Sequence, residues 1–340
     1  MTVHEIASLA GVSIGTVDRV LHKRGRVSAA TRARVEAILE KYSFTPNPIA
    51  RRLKRNRHYR FCALIPRRDQ DAGYWEQIIT GIERAGGEIK TLGVETEIIE
   101  FDRYDPAAFR RFSDSVNVGK HDGVLFAPIT PERSKLFIEK LSEEKIPFVF
   151  VDTDMPGTAP LCAIGQDPFG GGYLAGRLFH LFAGIVSTPV AVLDPHGEDY
   201  HITRRRDGFL RYAQEHGLPV IVREYSDYGG AEISVEEIAR FLEEQGELAG
   251  LFITNSMAHR AAAAMLQKAD RPFPLVGYDL IPDNRRLLRE GRISAIISQR
   301  PEEQGREALL TLFRSVALEQ TVEARREIPL DVYIRENTPS

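Results

Sequence analysis

The sequence predicts an α/β protein: a small all-α unit of short helices, then two doubly wound parallel α/β lobes. Three observations predict it. From residue 60 onward, short apolar runs alternate with amphipathic stretches, the pattern of parallel strands covered by helices. Ten such runs exceed one comfortable open sheet, so they divide between two lobes. Before that point only short helical periods occur, and the charge changes sign. Residues 1–60 carry thirteen Lys and Arg against four Asp and Glu, a net of +9, whereas the remainder carries −12. Such asymmetry suggests a nucleic-acid or membrane contact at one end of the molecule.

The helices of the basic part announce themselves by their caps. Thr2-Val3-His4-Glu5 fits a capping box, Ile6, Leu9 and Ala10 follow at helical spacing, and Gly11 supplies the positive φ that ends a helix sharply. Ser13 is placed to cap a second helix with Val17, Val20 and Leu21 on its apolar face. Ser28 is placed to cap a third, with Val35, Ile38, Leu39 and Tyr42 on one side. Helix pattern alone fits a helix-turn-helix unit and a generic three-helix bundle equally well. In "TPNPIARRLKRNRHYR", Asn47 caps and Pro48 suits a first helical position, but the basic segment that follows repels itself and should be poorly ordered alone.

The strand-like runs are "FCALIP", "VETEIIEF", "GVLFAPI", "PFVFVD", "LCAIG", "PVAVLD", "PVIVREY", "LAGLFIT", "PLVGYD" and "ISAIIS". Between them, "YWEQIITGIERAGGEI", "TRRRDGFLRYAQEHG" and "PEEQGREALLTLFRS" read as helices. Ligands of doubly wound sheets sit beyond the carboxyl ends of the strands, and two facing lobes form a cleft there. The loops at those ends hold Tyr74, Trp75, Asp152, three arginines in "ITRRRDGF", Asn255, Asp279 and Gln299. Aromatic faces with Asp, Asn, Arg and Gln suit a sugar: rings cover its C–H face and bidentate polar groups pair its hydroxyls. Each has a plainer reading too, with Trp75 as a core anchor, Arg204 or Arg206 as a surface charge and Asp279 as a helix cap.

At 340 residues there is room for two or three domains, and 43% hydrophobic with 27% charged residues is ordinary for a soluble globular protein. No run approaches the roughly 20 apolar residues of a membrane span, and "MTVHEIASLAGVS" lacks the basic start and apolar run of a signal peptide. A cytoplasmic location is expected, with Cys62 and Cys162 as buried free thiols rather than a disulfide. There is no nucleophile elbow, HExxH, P-loop or Cys/His cluster, so neither an enzyme nor a cofactor is expected.

The stretch from "TVHEIASLAGVSIGTVDRVL" through "FTPNPIARRLK" resembles the DNA-binding headpiece of the lactose-repressor (LacI/GalR) family almost end to end. More loosely, "IGQDPFGGGYLAGRL", "RRRDGF", "LFITNS", "VGYD" and "ISQRPEEQG" resemble that family's effector domain and the related type I periplasmic sugar-binding proteins. The resemblance implies a dimeric transcription regulator, expected to be a repressor of carbohydrate-utilisation genes on a pseudo-palindromic operator, with a sugar or polyol in the inter-lobe cleft.

It further implies an all-α helix-turn-helix headpiece over 1–45, a hinge helix over 46–59, a first lobe over 60–157 and 293–320, and a second over 158–292 and 321–340. DNA would meet Thr2, Ser13, Ile14, Gly15, Thr16, Asp18, Arg19 and His22 in the headpiece, and Asn47, Ala50, Arg51, Leu53 and Lys54 in the hinge. Arg19 would read guanine and Leu53 would wedge the minor groove, while Arg51, Arg52, Lys54 and Arg55 neutralise phosphates. Asp18 departs from the family's Ser and is expected to orient the adjacent Arg19. The implied effector residues are Tyr74, Trp75, Asp152, Arg205, Asn255, Asp279 and Gln299, with Ser256 departing from the family's Asp. The alternatives are a cytoplasmic sugar-binding protein or an enzyme with no regulatory role.

Overall fold

The computed structural model describes residues 1–339 apart from 2, 43, 45–56, 106, 118, 130, 185–186, 196–198, 226–232 and 269–272. Thr2, Asn47, Ala50, Arg51, Arg52, Leu53, Lys54 and Arg55 therefore lie outside the described residues. The chain forms two compact units, Met1–Arg57 and His58–Ser340.

The first unit holds helices α1 (Val3–Ala10), α2 (Ile14–Leu21) and α3 (Ala29–Lys41). Gly11 turns the chain at φ 63°, where a side chain would be strained. Ser13 and Ser28 cap as expected, accepting from the backbone N–H of Thr16 at 3.2 Å and of Thr31 at 3.3 Å. Ile6, Ala7, Ala10, Val17, Val20 and Val35 form its core. Leu9 and Tyr42, expected on apolar faces, are instead 54% and 45% exposed. Both stand on the far side of their helices, and a core this small is filled without them.

All ten apolar runs of the second unit are strands: β1 (Tyr59–Pro66), β2 (Val94–Phe101), β3 (Gly123–Phe126), β4 (Phe148–Val151), β5 (Cys162–Gly165), β6 (Val190–Pro195), β7 (Val220–Tyr225), β8 (Gly250–Ile253), β9 (Leu275–Tyr278) and β10 (Ala295–Ser298). Two three-residue strands, β11 (Arg325–Glu327) and β12 (Asp331–Tyr333), follow. The strands build two six-stranded sheets in the orders β11-β5-β4-β3-β1-β2 and β12-β10-β9-β8-β6-β7, parallel except for β12 against β10. Strand direction of growth reverses between β1 and β3 and between β6 and β8, the switch points where such sheets bind ligands. Cys62 and Cys162 are buried free thiols.

The sheets move three boundaries. Residues 162–165, expected in the second lobe, pair with β4 in the first sheet, 295–298, expected in the first lobe, pair with β9 in the second, and 325–327, expected in the second lobe, pair with β5 in the first. An apolar strand carries no mark of which sheet it joins, so pairing decides it. The chain thus crosses between lobes after β5, after β10 and between β11 and β12. One side chain ties these crossings together: Gln166 donates from Nε2 to the carbonyls of Ser298 (2.6 Å) and Pro329 (2.7 Å).

Helices cover both lobes. Those that position the cleft are Tyr74–Lys90, Pro168–Ala183, Tyr200–His216 and Pro301–Val316. Helices Pro168–Ala183 and Tyr200–His216 press backbone to backbone at a pair of glycines. A Cβ on Gly172 would overlap the Arg205 carbonyl, and one on Gly208 would overlap that of Phe169. This close approach fixes where the second of these helices presents Arg205.

Candidate functional site

The carboxyl ends of the strands meet at a cleft between the lobes. The first lobe contributes Asp71, Tyr74 and Trp75 after β1, Arg103 after β2, and Asp152 after β4. The second contributes Asp199, His201 and Arg205 after β6, Asn255 and Ser256 after β8, Asp279 after β9, and Gln299 after β10. All seven residues expected to hold an effector line this one cavity. Sequence reasoning missed Asp71, Arg103 and Asp199, which sit in charge-rich connections where a solvated surface is the ordinary expectation, and His201 in the first turn of helix Tyr200–His216.

Three carboxylates stand on backbone that L-residues rarely adopt: Asp71 at φ 51°, Asp152 at 73° and Asp279 at 65°. Asp tolerates this left-handed region better than most residues, and such strain gathers where a side chain must be aimed. Tyr74 donates its hydroxyl to Asp152 at 2.5 Å, and Gln304 fixes the same residue by accepting its backbone N–H at 3.1 Å. Gln299 donates to Asp279 at 2.9 Å. Trp75 is both a core anchor and a member of the site, 1% exposed with its indole N–H donated to Asp71 at 2.6 Å. Arg205 lies 3.8 Å above the Tyr278 ring and donates to the Thr254 carbonyl at 2.9 Å. Asp279 caps no helix; Asn284 holds its carbonyl at 2.9 Å. Arg206 faces Asp194 and Glu224 instead of the cleft.

The lobes are latched to each other. Arg103 bridges Asp71 (2.5 Å) of its own lobe and Asp199 (2.7 Å) of the other, with all three side chains buried. Ser256 donates across the cleft to the Asp71 carbonyl at 3.0 Å, and His201 Nε2 stands 3.7 Å from Asp152. The space left is ≈ 20 Å³, room for about one water. Three buried polar atoms there have no hydrogen-bond partner among the described residues: Arg205 Nε, Asn255 Nδ2 and Gln299 Oε1. Native structures leave few such groups unsatisfied, and their convergence marks a place for a hydrogen-bonding ligand. Burial pushes the Asp152 carboxyl up to about 6 and that of Asp279 up to about 7, against the hydrogen bonds and Arg205 charge that favour ionisation.

In the headpiece, Ser13, Ile14, Gly15, Asp18 and Arg19 are exposed along α2, with Thr16 and His22 half-buried beside them. Asp18 does not hold Arg19. It pairs with His22 Nδ1 at 3.3 Å, because residues four apart share a helix face and adjacent ones do not.

Comparison with known proteins agrees with both halves. Residues 2–47 match the model of the bacterial regulatory proteins of the lacI family, and residues 62–319 match a periplasmic binding protein domain. The chain belongs to the lacI family of bacterial regulatory proteins. This lacI-family regulator is 27% identical to the HTH-type transcriptional regulator DegA of Bacillus subtilis over 99% of its own length and 98% of that protein's. It is 30% identical to the maltose regulon regulatory protein MalI of Escherichia coli over 44% of its length and 42% of that protein's. A structure from Bacteroides fragilis assigned to the LacI transcriptional regulators superposes with a TM-score of 0.76 at 27% identity, covering 83% of this chain and 98% of that one. GanP of Geobacillus stearothermophilus, a glucose-galactose binding protein, shares the fold at a TM-score of 0.73 and 22% identity, over 84% and 100% of the two chains. Among the described residues no helix of the regulator is long and apolar enough to cross a membrane.

Proposed function

We propose that this regulator is a cytoplasmic repressor of carbohydrate-utilisation genes that binds a pseudo-palindromic operator as a homodimer and is released or recruited by a sugar or polyol in the inter-lobe cleft. The observation that carries this reading is the cleft: residues from seven strand ends of both lobes converge on one cavity, with unsatisfied donors and an unsatisfied acceptor. The same chain carries a lacI-family headpiece whose exposed α2 face offers Arg19 for a base edge.

The mechanism follows from the latch. With room for one water, a sugar enters only when the lobes part, breaking the Arg103–Asp199 and Ser256–Asp71 links. It then offers hydroxyls to Arg205, Asn255, Asp152, Asp279 and Gln299, and the lobes settle in a new relation. A ligand that binds one lobe arrangement better than the other shifts the equilibrium by that difference, typically 1 to 3 kcal/mol. In a symmetric dimer the shift would alter operator affinity through the hinge segments, the expected wedge Leu53 among them.

The test pairs selection of bound duplexes from a random library with a thermal-shift screen of monosaccharides, disaccharides and polyols. One symmetric protected site and a ligand that both raises the melting midpoint and changes operator affinity are expected. Equal protection of all duplexes at moderate salt would refute it. Turnover of a bound sugar would favour the enzymatic alternative.

A further inference from the structure

The charges lining the cleft do not balance. Among the described residues it gathers four carboxylates, Asp71, Asp152, Asp199 and Asp279, against two guanidiniums, Arg103 and Arg205. Arg103 is consumed by Asp71 and Asp199. Among the described residues Arg205 acts on both Asp152 and Asp279 while the already bridged Arg103 reaches only Asp152, and the hydrogen bond and ring contact of Arg205 go to the Thr254 carbonyl and Tyr278 instead of to either carboxylate. Asp152 and Asp279 are 4% and 3% exposed and belong to opposite lobes. When both are ionised they repel each other across the closing gap, in surroundings that leave the charge poorly solvated.

A neutral sugar satisfies hydrogen bonds there and leaves the charge as it is. A sugar acid or phosphate adds to it. We infer that the effector of this cleft carries a protonated amine, making it an amino sugar or aminated polyol whose ammonium group lies between Asp152 and Asp279. The inference rests on the reading of the cleft as a sugar or polyol site. The ammonium would be held by one carboxylate from each lobe, so the same contact that neutralises them also draws the lobes together. Its three N–H donors suit the oxygens of ionised carboxylates, which only accept. Hydroxyls of the same ligand would meet Arg205 Nε, Asn255 Nδ2 and Gln299 Oε1, the three unsatisfied atoms.

The titratable and charged groups facing this pair are Tyr74, Arg205, Arg103, Asp71, Asp199 and His201, so proton uptake is shared among several groups. Ionisation of Asp152 and Asp279 is nonetheless what an ammonium requires. Binding of an amine near pH 7 should therefore release protons, and its advantage should shrink as the pH falls to 5.

Calorimetry on the full chain with matched series tests the inference: D-glucose, D-glucosamine, N-acetyl-D-glucosamine and D-gluconate, with the galacto and manno counterparts. In one series the free amine should bind about tenfold or more tighter than its neutral parent, its acetylated form and the acid. Asp279→Asn, whose side chain tolerates φ 65°, should erase that preference; the wild-type pH series gives the same answer without a variant. Equal binding of the amine and its acetylated form, or tightest binding of the acid, overturns the inference while the sugar reading stands. Silence from every series overturns both.

Discussion

Replacing Arg103 by Met tests whether the cleft is held shut by charge. The side chain bridges Asp71 at 2.5 Å and Asp199 at 2.7 Å, and none of the three side chains is more than 7% exposed. Met keeps much of the volume and removes the guanidinium. Asp71 retains Tyr104 and Trp75 as donors, whereas Asp199 loses its cross-lobe cation. Breaking a buried pair by removing one partner costs roughly 3 to 5 kcal/mol where the remaining charge stays buried. Here the lobes can part and let water reach both carboxylates, so the cost should appear as opening. A penalty of that size moves the open-to-closed ratio on the order of 10²- to 10³-fold. Trp75, the only tryptophan, reports directly, since its indole donates to Asp71 inside the cleft. The Arg103→Met chain should show red-shifted tryptophan emission and a larger radius of gyration by small-angle scattering. Unchanged emission and unchanged dimensions would refute the latch.

Other outcomes follow from the same geometry. Gly172→Ala should push helix Tyr200–His216 off its neighbour and carry Arg205 with it, costing about 1 to 3 kcal/mol in denaturant unfolding and abolishing ligand-induced thermal shifts. Asp279 binds its proton more tightly folded than unfolded, about 7 against 3.8, so its contribution to stability is present at low pH and lost as the pH rises through 7. Asp279→Asn should accordingly raise the melting midpoint more at pH 8 than at pH 5, and the opposite order would contradict the burial argument. Arg19→Ala should relax base preference at one operator position by about 1 to 3 kcal/mol in a binding-selection assay, whereas a uniform loss on every sequence would make Arg19 a phosphate contact.

Much of the fold could be read from the sequence because it rests on local signals. Apolar runs bounded by turns marked β1 to β10, and serine caps marked α2 and α3. Strands β11 and β12 could not be read, since "RRE" and "DVY" are three residues long, lie at sheet edges and bury little. Lobe membership of β5 and β10 was equally hidden, because the crossings near Gln166 and Gln299 are decided by pairing far along the chain. Within the site, Tyr74, Asp152, Arg205, Asn255, Asp279 and Gln299 stood out at strand ends. Asp71 and Arg103 did not, because "RRDQD" and "FDRYDP" look like solvated charge until the second lobe covers them. Asp18 misled for a simpler reason: its neighbour in sequence points away from it, and its partner His22 lies one turn on.

Regulation by the cleft is tested most directly by titrating the full chain onto its selected symmetric duplex, with and without the ligand found by calorimetry. Coupling predicts an affinity change of about 5- to 150-fold on the selected duplex. The change should vanish in the Asp279→Asn chain, whose headpiece is untouched. An operator affinity identical with and without saturating ligand would contradict it.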